Sequence, residues 1–520
     1  MTAASTSRRE DRRAPPSTFV IFGASGDLTR RKLLPALYNL LKDGVLPDGF
    51  ATLGVARRPK TDESFAEEMR VAADKYSRQK PLDPAIWGKL AAGIGYVQGT
   101  FEDPKTYVDL KARLEKLDAE RGTGKNRIFY LAVGPEDMLP IVKGLADVGL
   151  LAEADGDGKN TGFARLIVEK PFGDDLASAQ RLNKELFHHV GESQVYRIDH
   201  YLGKETVQNM MVLRFENSMF EAVWNRNNVS HVEITVSEDI GIEGRGKFYE
   251  KVGITRDIVQ NHLLQLLTIV AMEPPVALDA NAVRDEKVKV LRSLRPIAGD
   301  AVATEVVRGQ YVSGTVNGEK VPGYREEPDV AEDSDNETYA AFRVHVDNWR
   351  WSGVPFFLRA GKRLSKRLAE VCVHFRAAPF ALFPHAHGRS PNCLVVRVQP
   401  DEGISFKFDA KVPGQGLTLR EVSMDFRYGA AFGSGGPEAY ERLILDTMRG
   451  DATLFTRHDE VEAQWRFIDP IRAAWAEGKN PVAIYRAGTD GPGAADGLMS
   501  AIGESWRPIH VPGQVPEDSK

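Results

Sequence analysis

The apolar pattern changes abruptly at residue 19 and predicts a β-α-β unit. Residues 19–22 form a continuous apolar run, which is typical of a strand buried on both faces of a parallel sheet. A glycine turn follows, and apolar residues then recur at helical spacing over 33–44. A second apolar run at 51–56 completes the unit. Similar runs at 127–133 and 164–168, separated by helical patterns, extend the predicted parallel sheet.

The second half of the chain changes to an alternating pattern. Val232, Ile234 and Val236 alternate with polar residues, as in an antiparallel sheet with one covered face. A helical pattern runs from Asp257 to Met272 and stops before two prolines. This mixture of elements predicts an α+β domain. Further strand-like stretches lie at 339–347, 355–360, 369–375, 394–399 and 404–408.

Length and pattern together predict two domains. At about 100–200 residues per domain, 520 residues correspond to two to four domains, and the single change of pattern favours two. We predict a Rossmann-like α/β domain over 18–200, followed by an α+β domain with a large, mainly antiparallel sheet over 201–510. The other segments are predicted to be flexible tails, at 1–17 and 511–520, and surface loops, at 153–162 and 323–336.

Composition excludes several classes of protein. The chain carries 68 basic and 73 acidic residues, a net charge of −5, so it lacks the basic bias of a nucleic-acid-binding protein. No apolar run reaches the ~18–20 residues of a membrane span. The arginine-rich N-terminus has no apolar stretch behind its charges and does not fit a signal peptide. Cys372 and Cys393 predict buried free thiols in a reducing cytosol, with neither a structural metal nor a disulfide framework.

The glycine turn between the first strand and the first helix is a candidate phosphate-binding loop. Glycines in such a turn bring backbone N–H groups and a helix N-terminus close to a pyrophosphate. The spacing departs from Gly-x-Gly-x-x-Gly because Thr29 occupies the place of the third glycine. A plain connecting turn is the alternative, which the β-α-β context disfavours. The residues concerned are Gly23, Ala24, Ser25, Gly26, Asp27 and Leu28.

Two arginines at the end of the second strand bear on the choice of cofactor. An NAD site usually places an acidic residue there for the ribose hydroxyls, whereas this chain has Arg57 and Arg58. A guanidinium suits a 2′-phosphate, so we predict NADP, with NAD as the weaker alternative. Two solvated arginines that close a strand are the other interpretation.

A lysine lies where a parallel strand is expected to end. Lys170 follows the apolar run 164–168, within the sequence Glu-Lys-Pro-Phe-Gly. Ligands of open parallel sheets bind at the carboxyl ends of the strands, so Lys170 is a candidate contact for substrate or nicotinamide. The alternative is a surface lysine before a proline that starts a helix.

The segment 196–205 is rich in titratable residues. If it is helical after Asp199, His200 and Lys204 lie at i and i+4 on one face and form a cationic pair that suits a phosphate. A solvated helix start that is capped by Asp199 is the alternative.

His262 lies within the apolar helical pattern 257–272. Such a histidine is more often a core residue than a catalyst. Oxidation of a carbinol carbon, however, needs a base for the hydroxyl proton and a carboxylate that fixes the tautomer of an imidazole base. His262 and Asp199 are the candidates for these two roles.

Together these motifs resemble those of the glucose-6-phosphate dehydrogenase family. The similarity extends over roughly residues 18–510, and several ordered motifs on one chain are more specific than a single glycine fingerprint. The architecture of the family, a Rossmann-like domain followed by an α+β domain, agrees with the predicted one. Further matching motifs are Trp224-Asn225-Arg226, Glu243-Gly244-Arg245-Gly246, and residues 260–265, 283–288 and 440–444.

The resemblance implies a reaction and a role for each matching residue. His262 would take the C1-hydroxyl proton of glucose 6-phosphate, Asp199 would orient its ring, and hydride would pass from C1 to NADP. The product would be 6-phosphoglucono-1,5-lactone, in the first step of the oxidative pentose phosphate pathway. The other matches are phosphate contacts (His200, Tyr201, Lys204), sugar-hydroxyl contacts (Glu238, Asp257), further basic substrate contacts (Lys362, Arg367), and Lys170, which would touch substrate and cofactor.

The resemblance also bears on assembly and ligands. It implies a cytoplasmic homodimer or homotetramer that binds glucose 6-phosphate and NADP, with no metal, nucleic-acid or membrane partner. Some members hold a second, structural NADP. Leu368 stands where those members carry lysine, so we do not predict that second site.

Two other functions remain as alternatives. A dehydrogenase for an unphosphorylated sugar would not need the basic residues that match the family's phosphate contacts. A catalytically silent NADP-binding regulator would be expected to lose Asp199 or His262, and both are present.

Overall fold

The computed structural model describes most of the chain. The described residues are 13–153, 162–380, 382–383, 391–414, 417–433 and 436–509. The predicted tail at 511–520 lies outside these ranges, as do residues 1–12 of the predicted N-terminal tail and 154–161 of the predicted loop.

The chain divides into two compact units. The first comprises the described parts of Met1–Gly203, Ala277–Arg284 and Gly435–Glu462, and the second comprises the rest. The boundary predicted near residue 200 lies close to Gly203. The continuous second domain predicted over 201–510 differs from this division because two later segments belong to the first unit.

Strands and helices alternate in the first part of the chain, and the bounds of all described elements follow here. The strands are β1 Thr18–Phe22, β2 Ala51–Ala56, β3 Ile94–Gln98, β4 Arg127–Leu131, β5 Ala164–Val168, β6 Val195–Ile198, β7 Val229–Ser237, β8 Val306–Val312, β9 Gly314–Val316, β10 Glu319–Val321, β11 Tyr339–His345, β12 Pro355–Gly361, β13 Leu368–Phe375, β14 Cys393–Gln399, β15 Gly403–Lys411, β16 Leu419–Arg427, β17 Phe455–Thr456 and β18 Ala483–Arg486. The α-helices are Leu34–Lys42, Asp62–Tyr76, Pro84–Ala91, Pro104–Arg121, Pro135–Asp147, Leu176–Phe187, Glu205–Phe215, Ser218–Glu221, Gly246–Ile254, Leu264–Ala271, Ala280–Arg292, Val302–Glu305, Tyr428–Phe432, Ala439–Arg449, His458–Ala476 and Asp496–Ser500. Short 3-10 turns and two π-helices, Thr29–Leu33 and Thr255–Leu263, complete the elements. Within the described residues, no helix combines the length and the apolar character that a bilayer crossing requires.

The sheet of the first unit confirms the predicted Rossmann-like arrangement. Its order among the described strands is β17-β6-β5-β4-β1-β2-β3, with parallel pairing except at the β17 edge. The chain therefore reverses its direction of winding between β1 and β4. In open α/β sheets, ligands bind beyond the carboxyl ends of the strands at such a switch point.

The returning segment 435–462 is tied to the first unit by a strand and by a buried charge. Phe455 of β17 pairs with β6. The Glu441 carboxylate is buried in the helix Ala439–Arg449 and accepts hydrogen bonds of 2.9 Å from Asn39 Nδ2 and Arg78 Nε. A carboxylate that is buried in this way needs such partners, so Glu441 holds its helix against the first unit.

The second unit contains the predicted large, mainly antiparallel sheet. Its described strands run in the order β16-β15-β14-β13-β7-β12-β11-β8-β18, and only β7 with β12 and β8 with β18 pair in parallel. The prediction that one face is covered is wrong at β7, where nearly every residue is buried. The C-terminal segment contributes to this cover, since Arg507 N donates to Glu233 Oε2 at 2.9 Å. Arg359, on the neighbouring strand β12, donates from Nε to Thr235 Oγ1 at 3.0 Å.

The predicted helix 257–272 begins as a π-helix. Thr255–Leu263 has π-helical hydrogen bonding, and the α-helix Leu264–Ala271 continues it. Gly253 precedes the π-helix with φ +63°, a conformation that favours glycine. A Cβ atom there would lie 2.5 Å from Glu337 Oε1, which accepts the N–H of Thr255 at 3.2 Å. Gly253 thus lets the backbone approach the carboxylate that anchors the start of the π-helix.

Candidate active site

The glycine turn leads from β1 directly into a helix. Gly23 has φ +81°, and a Cβ atom there would lie 2.2 Å from the backbone oxygen of Ala132, which follows β4. Thr29, fully buried in the place of the third glycine, donates its hydroxyl to the Gly23 oxygen at 3.4 Å. Threonine in place of the third glycine therefore adds a hydrogen bond across the turn. The helix that follows therefore begins close to the β1/β4 switch point.

Both arginines that follow β2 are exposed. The Tyr96 hydroxyl donates to the Arg58 carbonyl at 2.6 Å and so fixes the backbone while the guanidinium stays in solvent. The pKa of Lys60 is lowered, first by burial and then by the nearby charges of Arg58 and Arg30. Arg30 therefore adds to a basic cluster that sequence reasoning did not identify, since it sits on a different element from Arg57.

The carboxyl end of β5 carries a buried carboxylate beside the candidate lysine. Glu169 accepts hydrogen bonds from the Tyr130 hydroxyl and, at 3.3 Å, from the Tyr440 hydroxyl. Burial raises the pKa of Glu169, and the Lys170 charge opposes this rise only in part. Lys170 is half-buried next to Glu169, at the strand end where the sequence placed it.

The segment after β6 forms a turn, so neither a helix that follows Asp199 directly nor a helix start capped by Asp199 is present. The helix begins only at Glu205, so the predicted i, i+4 arrangement of His200 and Lys204 does not form. The buried Asp199 carboxylate accepts the Tyr201 N–H at 2.9 Å and thereby caps the turn. The His200 ring lies nearly parallel to that of Tyr440, with 6.5 Å between ring centroids.

In the second unit, three of the residues that the resemblance implied form one cluster. Lys362 Nζ lies 2.6 Å from Glu238 Oε2 and 3.2 Å from Asp257 Oδ2. The Lys362 side chain is only 2% exposed. Burial alone would lower the pKa of this ammonium, but the carboxylates of Asp257 and Glu238 outweigh burial and raise it. The two carboxylates therefore favour the charged form of the buried lysine.

This cluster changes the grouping that the sequence suggested. Lys362, predicted as a basic substrate contact, also forms ion pairs with the predicted hydroxyl contacts Glu238 and Asp257. Arg367, by contrast, is exposed and makes no ion pair with any described residue. Lys204 Nζ lies 2.9 Å from Gln399 Oε1.

The π-helix determines where the candidate base lies relative to Asp257. In a regular α-helix, five residues turn the chain by about 500°, which leaves their side chains about 140° apart. The i→i+5 bonding of a π-helix instead brings residues five apart close to one face. Asp257 and His262 are five apart in this π-helix, and His262 is 3% exposed. The buried imidazole therefore shares a helical face with a carboxylate of the Lys362 cluster.

The structure shows contacts among some of the predicted site residues, whereas the pairing of others stays a prediction. Glu238, Asp257 and Lys362 are in contact within the second unit. Asp199 belongs to the first unit and His262 to the second, so their pairing stays a prediction. Sequence reasoning missed Tyr130 and Tyr440 as partners of Glu169. No local signal could have identified Tyr440, which belongs to the returning segment.

Comparisons with known proteins agree along the whole chain. The family models described as "Glucose-6-phosphate dehydrogenase, NAD binding domain" and "Glucose-6-phosphate dehydrogenase, C-terminal domain" match residues 20–209 and 211–507. The glucose-6-phosphate 1-dehydrogenase of Chlamydia pneumoniae is 46% identical over 96% of this chain and 97% of its own length. That of Aggregatibacter actinomycetemcomitans is 48% identical over 94% and 96%.

Solved structures give the same result. A structure described as "Glucose-6-phosphate dehydrogenase in complex with its substrate glucose-6-phosphate" superimposes with a TM-score of 0.86 at 34% identity, covering 95% of this chain and 99% of that one. The glucose-6-phosphate 1-dehydrogenase of Mycobacterium avium superimposes with a TM-score of 0.79 at 35% identity, covering 96% and 100%. The chain belongs to the glucose-6-phosphate dehydrogenase family.

Proposed function

We propose that this chain oxidises C1 of glucose 6-phosphate to 6-phosphoglucono-1,5-lactone with hydride transfer to NADP, the first step of the oxidative pentose phosphate pathway. Family membership supports the reaction. The single observation that carries it at the level of the site is the buried Lys362 cluster, one member of which, Asp257, lies on the π-helix that also holds His262. It supplies fixed hydrogen-bond partners for sugar hydroxyls beside a buried imidazole.

His262 is the base in this proposal. A neutral imidazole accepts the C1-hydroxyl proton as the C–H bond breaks, and a carboxylate stabilises the imidazolium that forms. The family resemblance assigns the role of that carboxylate to Asp199. The turn capped by Asp199 Oδ1 holds its side chain in one orientation, as a residue that orients a base requires.

The remaining residues position the sugar. Glu238 and Asp257 bind hydroxyls. Lys362 holds both carboxylates in place before the substrate binds, which reduces the entropy lost in ordering them. The phosphate contacts are His200, Tyr201, Lys204 and Arg367, with Lys170 between substrate and cofactor. Binding energy from the phosphate, away from the reacting carbon, positions C1 for reaction.

The first unit fits a nicotinamide dinucleotide. The fit rests on the β1/β4 switch point, the turn that Gly23 allows, and the helix N-terminus beyond it. The turn residues Gly23 to Leu28 would hold the pyrophosphate, and Arg57 and Arg58 would bind a 2′-phosphate. NADP is therefore favoured, with NAD as a weaker alternative. When bound, the nicotinamide accepts the hydride.

We also propose a cytoplasmic homodimer or homotetramer. The resemblance supports the assembly, and the free thiols of Cys372 and Cys393 fit a reducing compartment. The absence of a second, structural NADP, based on Leu368, stays a prediction.

The test is the rate of reduced nicotinamide formation with each cofactor and each sugar. We expect turnover with glucose 6-phosphate and NADP, less with NAD, and at least a hundredfold lower kcat/KM with glucose. Equal kcat/KM for the two sugars would favour a dehydrogenase of unphosphorylated sugars. No reduction with any pair would favour the catalytically silent regulator.

A further inference from the structure

The polar face of the second unit's sheet carries a cluster that the proposed reaction does not use. His231 and Glu233 lie on β7, and His374 lies on β13 directly opposite His231. Directly paired residues of antiparallel strands point to the same face, so all three side chains meet there. One ligand atom from each residue lies within 4.8 Å of the other two. His374 Nε2 and Glu233 Oε1 are 2.8 Å apart.

The facing atoms of this cluster lie in the interior of the second unit. His231 is 1% exposed and Glu233 is 2% exposed. Among the described residues, His231 Nε2, Glu233 Oε1 and His374 Nε2 each lack an aligned hydrogen-bond partner. Glu233 Oε1 and His374 Nε2 are close partners of each other, so among the described residues His231 Nε2 is the atom of the cluster left without one. Buried polar atoms are nearly always satisfied, and a ligand shared by the three side chains would satisfy this nitrogen.

The surroundings prepare these atoms as ligands. His231 Nδ1 lies 3.2 Å from the Ser230 hydroxyl, which leaves Nε2 to point into the cluster. Glu233 Oε2 accepts the Arg507 N–H, so Oε1 is the oxygen left over. Such outer contacts, which fix the tautomer of a histidine and the orientation of a carboxylate, are typical of metal sites.

We propose that His231, Glu233 and His374 bind a divalent transition-metal ion of the zinc type, at a site separate from hydride transfer. Two imidazole nitrogens and one carboxylate oxygen form a donor set that zinc takes with a fourth, open position. The His374 side chain is 18% exposed and provides the route from solvent.

Metal binding would require a small rearrangement of the rings. The imidazoles of His231 and His374 stack with centroids 4.1 Å apart and an interplanar angle of 13°. Lone pairs of parallel rings do not converge on one point, so the rings must rotate about their side-chain torsions. Because His374 is the more exposed, its ring has the greater freedom to turn. The bound ion would join β7 to β13 and so add stability to the second unit.

The test is zinc binding to the untagged full-length protein after removal of metal by a chelator. We expect one Zn²⁺ per chain by isothermal titration, with an affinity at least about tenfold weaker in His374→Gln. The matched control is His345→Gln, a half-buried histidine of β11 that is not part of the cluster, which we expect to bind as the unmodified protein does. Equal affinity in all three proteins would overturn the proposal and assign the cluster to a plain ion pair.

A second measurement separates loss of the site from loss of the fold. Co²⁺ in a tetrahedral site gives strong visible absorption bands, which we expect in the parent protein and in His345→Gln, and not in His374→Gln. Because His374→Gln also changes the partner of the buried Glu233, each protein is compared with its own metal-free Tm. Zn²⁺ should raise Tm only in the two proteins that keep the cluster. Bands of equal strength in His374→Gln would show that another site holds the ion and would reject the proposal. Neither readout depends on the proposed dehydrogenase activity.

Discussion

Two buried charged groups, Lys362 in the second unit and Asp446 in the first, differ in how far an ion pair compensates their burial. Lys362 lies between Glu238 and Asp257, and their attraction raises its pKa although burial opposes this. Asp446, in the helix Ala439–Arg449, has Arg442 Nε at 2.8 Å, yet its pKa rises to about 6, chiefly because of burial. The ion pairs favour the charged form of Lys362, whereas burial favours the neutral form of Asp446.

The difference lies in the number and exposure of the partners. Two carboxylates close to one buried ammonium compensate its loss of hydration. The Arg442 side chain is 39% exposed, so water screens much of its attraction for Asp446. The Lys362 cluster is therefore a fixed part of the proposed site, whereas Asp446 makes the stability of the first unit depend on pH.

The largest effect should come from the base that shares a π-helix with the cluster. His262→Asn should lower kcat by about 10²–10⁴-fold with little change in KM, because it removes proton abstraction and leaves the sugar contacts in place. Steady-state kinetics with glucose 6-phosphate measures this. The control His345→Asn should keep the parent kcat. A kcat for His262→Asn within a few-fold of the parent value would show that His262 is not the base.

Breaking the compensated pair should cost stability and binding together. Lys362→Met leaves Glu238 and Asp257 facing each other and should lower the free energy of unfolding by about 3–5 kcal/mol. It should also raise KM for glucose 6-phosphate. Urea unfolding measures the first effect, with the exposed Lys366→Met as the control, for which we expect a change within about 0.5 kcal/mol. A loss below about 1 kcal/mol would contradict the account of this cluster.

The poorly compensated pair should be visible as a pH dependence. A carboxyl whose folded pKa is about 6 binds its proton more tightly when folded, so its contribution to stability is present below pH ~3.8 and lost as pH rises through 6. Asp446→Asn should therefore gain stability relative to the parent, by on the order of 2–3 kcal/mol, between pH 4 and pH 7. The readout is the difference in the free energy of unfolding at the two values of pH. A pH-independent difference would mean that Asp446 is as well compensated as Lys362.

The smallest effect should come from the backbone that leads into the π-helix. Gly253→Ala places a methyl group against Glu337 at φ +63° and should lower the free energy of unfolding by about 1–3 kcal/mol. Because Asp257 follows on the same helix, KM should rise as well. Gly493→Ala, where a Cβ atom meets open space, is the control. Equal free energies of unfolding for the two variants would show that a side chain at position 253 causes no strain.

Much of the first unit could be predicted from apolar runs, because buried parallel strands are apolar on both faces. Strands β1, β2, β4 and β5 lie within one or two residues of their predictions. The returning segment 435–462 could not be predicted, because Glu441 contacts residues some 360–400 positions away in the sequence. A local pattern of apolar and polar residues does not indicate which distant residues will be in contact.

In the second unit, alternation predicted the strands but misled about burial. The polar residues of β7 are buried, and a distant segment around Arg507 contributes by a hydrogen bond to Glu233. The Lys362 cluster was implied by the family resemblance. The residues alone gave no sign of it, because a lysine among many basic residues is normally a solvated strand end.

The central claim is that hydride leaves C1 of glucose 6-phosphate for the nicotinamide. The most direct measurement supplies glucose 6-phosphate labelled with deuterium at C1, together with NADP, and locates the label by mass spectrometry and NMR. We predict one deuterium per reduced nicotinamide, and an unlabelled C1 carbonyl in the lactone. Reduced nicotinamide without deuterium, or label retained on the sugar, would contradict the proposed reaction.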